Sequence, residues 1–305
     1  MRNAGSDGFV RFPPRWRNVL VPIAPARAAA LGTTLYTASR PLPWAAQNVL
    51  WALARVCGGR ALPGPREAWD YPLDAGVVDE LRRQWVAVVG REPDGVAVYQ
   101  RTQAARAALT VLLCAGRHSV LVRVRRDPTS LLQERRISEA AQALRPRSIT
   151  VPELAGHGSA AGWHWTAYRA MATRPHRPLY RLPRGATDEI AALVETVVPR
   201  PSGAPAGWAG AHLDVSPWNL RRAGGRTVLI DWEDAGWAPP GADAVYLEAI
   251  VTAMRTDRVR SLPSVADHPD AAAYWLPIIR AREPNPNEAH LRDRMLVLLP
   301  GPVPA

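Results

Sequence analysis

Asp214 and Asn219 stand five residues apart in the run His212-Leu-Asp214-Val-Ser-Pro-Trp-Asn219, and a later apolar run, Val228-Leu-Ile, ends at Asp231. Phosphoryl transfer asks for groups of this kind. An acceptor hydroxyl must be held in line, a carboxylate must take its proton, and Mg2+ must neutralise the phosphate oxygens. One loop can serve two of these needs, with Asp214 facing the hydroxyl and Asn219 facing the metal. Asp231, at the end of an apolar strand, would bridge a metal to the phosphates, since hard cations take oxygen ligands and Mg2+ usually accepts one or two from protein.

These residues resemble the H-x-D-x-x-x-x-N loop and the following I-D-[WF]-E-D strand of the aminoglycoside phosphotransferase/choline kinase family, which has the protein-kinase fold. The family's usual H-G-D-L-H-P-G-N stands here as H-L-D-V-S-P-W-N. The resemblance implies a catalytic base at Asp214, metal ligation by Asn219 and Asp231, and a loop-bracing role for His212. Asp243, in Pro240-Gly-Ala-Asp243, resembles a later family aspartate that buttresses the loop.

Upstream, Val120-Leu-Val-Arg123-Val resembles the third strand, where the family places a basic residue on the nucleotide phosphates. The chain has no lysine, so arginine must serve, and the strand phase favours Arg123 over Arg125. Glu139, on the helix that follows, matches the family glutamate that pairs with that base; an arginine–glutamate pair can be bidentate. Trp163 to Met171 resembles the interlobe linker.

The elements that would position these groups follow from the pattern. Apolar residues at Val77, Val78, Leu81, Trp85 and Val88 predict an amphipathic helix. Strands are expected over 95–100, 108–114 and 119–125, the last two joined at Ala115-Gly116-Arg117-His118. A helix over 129–144 and a strand over 163–171 come next. After a Pro/Arg-rich connector, helices are expected over 187–198, 243–254 and toward Leu299. Nearer the start, a strand (18–23) and a helix (44–57) precede a turn-prone run. The fold class is therefore α+β, with a small antiparallel N-lobe and a mainly helical C-lobe. Residues 1–73 form an extension without an assigned role, 74–172 the N-lobe, and 173–305 the C-lobe carrying the catalytic loop.

Composition bounds the function. The two cysteines, Cys57 and Cys114, make neither a disulfide framework nor a metal spacing. The apolar stretches near the start are short and broken by proline and arginine, so no spanning helix is expected; the placement is cytoplasmic, with contact to a membrane surface left open. The net charge is +11, and all 38 basic residues are arginine. After residue 200 there are 10 Arg against 12 Asp and Glu, so the basic excess lies in the first 200 residues. Such a front half favours an anionic ligand such as a nucleotide. No zinc motif, RNP-like segment or recognition-helix pattern supports specific nucleic-acid binding.

The expected activity is transfer of the γ-phosphate of ATP or GTP, with Mg2+, to a hydroxyl of a small molecule. The sequence also departs from the family. The segment expected to cover the phosphates, Tyr99 to Ala107, has no glycine, although glycine lets a backbone approach phosphate closely. Arg101 or Arg106 could compensate by charge. The alternative is a kinase-fold protein without turnover, serving as a nucleotide sensor or scaffold. Leu213 and Trp218 stand where the family has small residues. Beyond Asp243 the acids alternate with arginines, including Arg280 and Arg282, so nothing marks a site for a polycationic antibiotic.

Overall fold

The computed structural model describes residues 8–14, 18–68, 75–100, 108–171, 173–255, 262–282 and 289–299. Residues 101–107 of the segment expected to cover phosphates, Arg101 and Arg106 included, lie outside them. The chain divides into two compact units: Met1–Arg135 with Pro152–Pro178, and Arg136–Val151 with Leu179–Ala305.

The first unit is built on an eight-stranded sheet. In chain order its strands are β1 (Phe9–Phe12), β2 (Val19–Pro22), β3 (Arg66–Glu67), β4 (Gly95–Gln100), β5 (Ala108–Ala115), β6 (His118–Arg125), β7 (Leu154–Ala160) and β8 (Trp163–Arg169). They lie in the order β3-β1-β2-β4-β5-β6-β8-β7, and every neighbouring pair is antiparallel. The two-residue strand β9 (Arg177–Pro178) ends the unit. Alternation along the strands dictates the two faces. Val98, Val111, Leu113, Val120, Val122 and Val124 bury themselves under Leu81 and Trp85 of α3 (Ala75–Val89). The opposite phase, Ala97, Leu112, Cys114 and Leu121, meets Ala28 and Leu31 of α1 (Ala26–Gly32). Each large apolar side chain buried there contributes about 1.5–3 kcal/mol. Contact between α1 and the sheet is close: a Cβ on Gly32 would sit 2.9 Å from that of Ala97. Outside α1 lies α2 (Pro41–Cys57), held by Gln47, whose amide donates to the carbonyls of Thr33 and Tyr36.

Three expectations change. The sequence boundary at residue 74 does not separate the sheet from what precedes it, because β1, β2 and β3 are strands of that sheet. Neither β1 nor α1 was expected, the first being four residues long and the second seven. Strand β7, Leu-Ala-Gly-His-Gly-Ser-Ala, has no apolar alternation. It pairs with β8, and a Cβ on Gly158 would lie 2.8 Å from the Trp165 ring, so small residues are what this edge can hold.

The second unit is mainly helical. It contains α5 (Ala186–Val197), α6 (Ala242–Arg255), α7 (Pro263–Asp267), α8 (Pro269–Ala281) and α9 (Ala289–Leu298). Its strands are short: β10 (Ala209–Ala211) pairs with β13 (Gly236–Ala238), and β11 (Leu220–Ala223) forms a hairpin with β12 (Arg226–Leu229). Helix α4 (Thr129–Leu144), with the expected bounds, runs from the first unit into the second. An antiparallel sheet unit followed by a helical one is the α+β architecture expected. No helix among the described residues is long and apolar enough to cross a membrane.

Candidate active site

Residues 212–219 lie between β10 and β11, and Asp231 follows the end of β12. The hairpin closes this geometry, since the Ile230 amide donates to the Asn219 carbonyl at 3.1 Å. His212 is buried and ties the same two segments. Its Nε2 faces the Ile230 carbonyl at 3.1 Å, while its Nδ1 accepts the Asp214 amide at 3.2 Å. That pairing makes Nε2 the protonated nitrogen and the ring neutral. Burial agrees, pushing the imidazole down to about 4 against the opposing pull of Asp231 and the Ile230 carbonyl. The ring also meets Trp232 edge-on, centroids 4.5 Å apart. His212 thus ties the Asp214 segment to the Ile230 segment through a neutral ring.

Asp243, in the first turn of α6, is buried and grips the loop from below. Its two oxygens accept the amides of His212 and Leu213, both at 2.9 Å. Desolvation raises this carboxyl to about 6, with the two N–H groups opposing. The grip explains Leu213, which stands at a family glycine position with φ +63°. A branched residue there costs on the order of 1–3 kcal/mol and needs surroundings that impose it. Asp231, with φ +67°, is held in the same region. Replacing Asp243 by alanine would strand two adjacent amides, so Asp243→Ala should lose about 2–5 kcal/mol of unfolding free energy in urea titrations.

Asp214 and Asn219 are joined directly. The Asn219 amide nitrogen donates to the Asp214 carboxylate at 2.8 Å and to its backbone carbonyl at 3.0 Å. With its nitrogen so used, the side chain of Asn219 has its carbonyl oxygen to offer a cation. Asp214 also accepts the Tyr246 hydroxyl, which in turn accepts Nη1 of Arg282 at 2.9 Å. The Asp214 carboxyl is pushed up to about 8, mostly by desolvation and then by Asp231, with Asp234 adding and Arg282 and Tyr246 opposing. The Tyr246 phenol is pushed up as well, first by burial and then by Asp214.

Tyr246 and Arg282 were not foreseen. Tyr246 lies three residues after Asp243, one helical turn along the same face, which is a signal the sequence does carry. Arg282, just past α8, carries none; it reaches Tyr246 because α8 docks on α6 through the Trp275 indole, which donates to the Ala242 carbonyl at 2.8 Å. Trp218 packs against the apolar core of this unit.

Could a divalent cation be held here? Asp231 and Glu233 bring carboxylate oxygens within 4.8 Å of each other, and Asp231 and Asp234 both raise Asp214. Clustered carboxylates are the oxygen donors that a hard cation takes.

In the first unit, Arg123 projects from the face of β6 opposite Val122 and Val124. Its guanidinium pairs with Glu134, which is buried and also lies 3.4 Å from the Tyr168 hydroxyl. The resemblance of the sequence points instead to Glu139 as the partner. The two glutamates are about 140° apart around α4. Glu134 shares the buried side with Leu131 and Ser138, while Glu139 is exposed.

No protein-family model matches this sequence, and no curated protein does. Solved structures do match. A thermostable mutant of aminoglycoside phosphotransferase APH(4)-Ia, in a ternary complex with ADP and hygromycin B, is 10% identical over 72% of this chain and 89% of its own, with a TM-score of 0.39. A microcompartment-associated aminopropanol kinase is 14% identical over 72% and 87%, with a TM-score of 0.38. The amicoumacin kinase hAmiN, solved in complex with AMP-PNP, Ca2+ and Ami, is 11% identical over 66% and 77%, with a TM-score of 0.37. The chain is similar in fold to aminoglycoside phosphotransferases and related small-molecule kinases.

Proposed function

We propose that this chain transfers the γ-phosphoryl group of ATP or GTP to a hydroxyl group of a small molecule. The observation that carries the reading is Asp214, a carboxylate fixed by Asn219 and Tyr246 and raised to about 8. A base works best when its pKa lies near the working pH. Asp214 takes the proton of the acceptor hydroxyl as that oxygen bonds to phosphorus and the bond to the nucleoside diphosphate breaks. Asn219 and Asp231 are the residues that would hold Mg2+, which when bound neutralises phosphate oxygens. His212 and Asp243 keep the loop in register. Arg123 is the cation assigned to the nucleotide phosphates, with Glu134 as its brace. The acceptor is left undefined: Arg282 next to the base argues for a partner unlike the polycationic antibiotics.

The test is release of ADP or GDP by the purified chain with Mg2+ and a panel of hydroxylated metabolites. Release that depends on an acceptor, together with a phosphorylated product by mass spectrometry, supports the reading. Nucleotide binding without turnover on any acceptor would favour the sensing or scaffold alternative. Arg282 provides a finer check. Its charge lowers the Asp214 pKa, so Arg282→Met should move the acid limb of the kcat profile to higher pH, and Arg282→Lys should restore most of the shift.

A further inference from the structure

We propose that the outward face of α2 is an interfacial surface that lies on membranes carrying anionic lipid. Seven large apolar side chains are exposed among the described residues, and four of them are on this one helix: Leu42 at 79%, Val49 at 60%, Leu53 at 44% and Val56 at 81%. At about 100° per residue, these four with Ala45 and Ala46 fall within an arc of about 100°. The outward arc is therefore continuous aliphatic surface, while the inward side carries Gln47 and Ala54, both buried. From Leu42 to Val56 this strip runs about 21 Å along the helix. A surface helix of a globular protein normally has this pattern the other way round, with charge facing outward.

Charge identifies the occupant. Between Asp7 and Glu67 the chain has no acidic residue but has eight arginines. Arg40 at the N-terminal end of α2, Arg55 in its last turn and Arg60 just beyond it are all exposed. An aliphatic strip with exposed arginines near its two ends and no carboxylate along it matches the requirement for lying in a bilayer interface, where apolar side chains enter the acyl boundary and basic ones meet anionic headgroups. The strip also has no aromatic side chain, of the sort that anchors most protein partners. Because the proposal uses no residue of the phosphotransfer site, it stands apart from that function.

Flotation of the full chain with vesicles tests it. Binding to phosphatidylcholine vesicles containing phosphatidylglycerol should exceed binding to pure phosphatidylcholine by at least about tenfold, and should fall as salt is raised. Replacing Leu42, Val49, Leu53 and Val56 together by serine should reduce binding to the anionic vesicles by about tenfold or more. Arg40→Gln, Arg55→Gln and Arg60→Gln together should remove the preference for anionic lipid. Since these side chains are exposed, the variants are expected to melt as the parent does; if the fourfold change unfolds the chain, Leu42→Ser with Val56→Ser serves instead. Failure to float with either vesicle overturns the proposal. So does a concentration-dependent dimer in sedimentation that the serine variant dissolves, which would make this face a contact between two copies.

Discussion

Asp214→Ala should lower turnover by about a hundredfold to ten-thousandfold, the range for losing a positioned general base, while nucleotide binding survives. The reason is geometric. Asn219 and Tyr246 both point hydrogen-bond donors at this carboxylate. Isothermal titration with a nonhydrolysable nucleotide, alongside steady-state rates, separates the two effects. An Asp214→Ala protein as active as the parent would end the proposed mechanism. The isosteric Asp214→Asn carries a second readout. Burial raises the folded carboxyl from 3.8 to about 8, so the native state keeps a proton that the unfolded state releases. This stability is fully present near pH 4 and is lost as pH rises through about 8. Between about 7.5 and 8.5, the unfolded-state imidazole of His212 and the folded Asp243 carboxyl have largely finished titrating. In that window the ligand-free parent should therefore lose stability with rising pH, by at most about 1.4 kcal/mol per unit. Asp214→Asn should flatten the slope.

The second large effect belongs to Asp231. Mg-ATP or Mg-GTP should raise the melting temperature of the parent; at a concentration about a hundredfold above Kd the gain is about 2.7 kcal/mol. Asp231→Asn keeps the shape of the side chain and removes a charge from the metal ligand set, so most of that gain should vanish. Removing the charge also relieves Asp214, whose carboxyl Asp231 helps to raise. The mutant without ligand should then be no less stable than the parent at pH 8. Equal nucleotide shifts in both proteins would take the metal away from Asp231. Absence of a shift with any nucleotide would remove the nucleotide site itself.

Much of this was legible in the chain. The spacing of His212, Asp214 and Asn219, and the apolar run into Asp231, are local features. Local sequence fixes which groups share a loop and which end a strand. Period-two and period-3.6 patterns likewise gave β4 to β6 and α3 to α6 to within about two residues, because burial on one face imposes those periods. Tertiary structure decided the rest. Leu213 holds a positive φ that no local preference would choose, and the carboxylate of Asp243, thirty residues away, fixes it. Rotation around α4 selected Glu134 over Glu139. Strand β7 exists because β8 and Trp165 leave room for small residues, and β1 to β3 complete a sheet whose other strands lie far along the chain. The Arg282–Tyr246–Asp214 chain depends on how α8 packs against α6. A sequence specifies the chemistry a segment can offer; which groups meet, and therefore which proton is held where, follows from packing between segments remote in the chain.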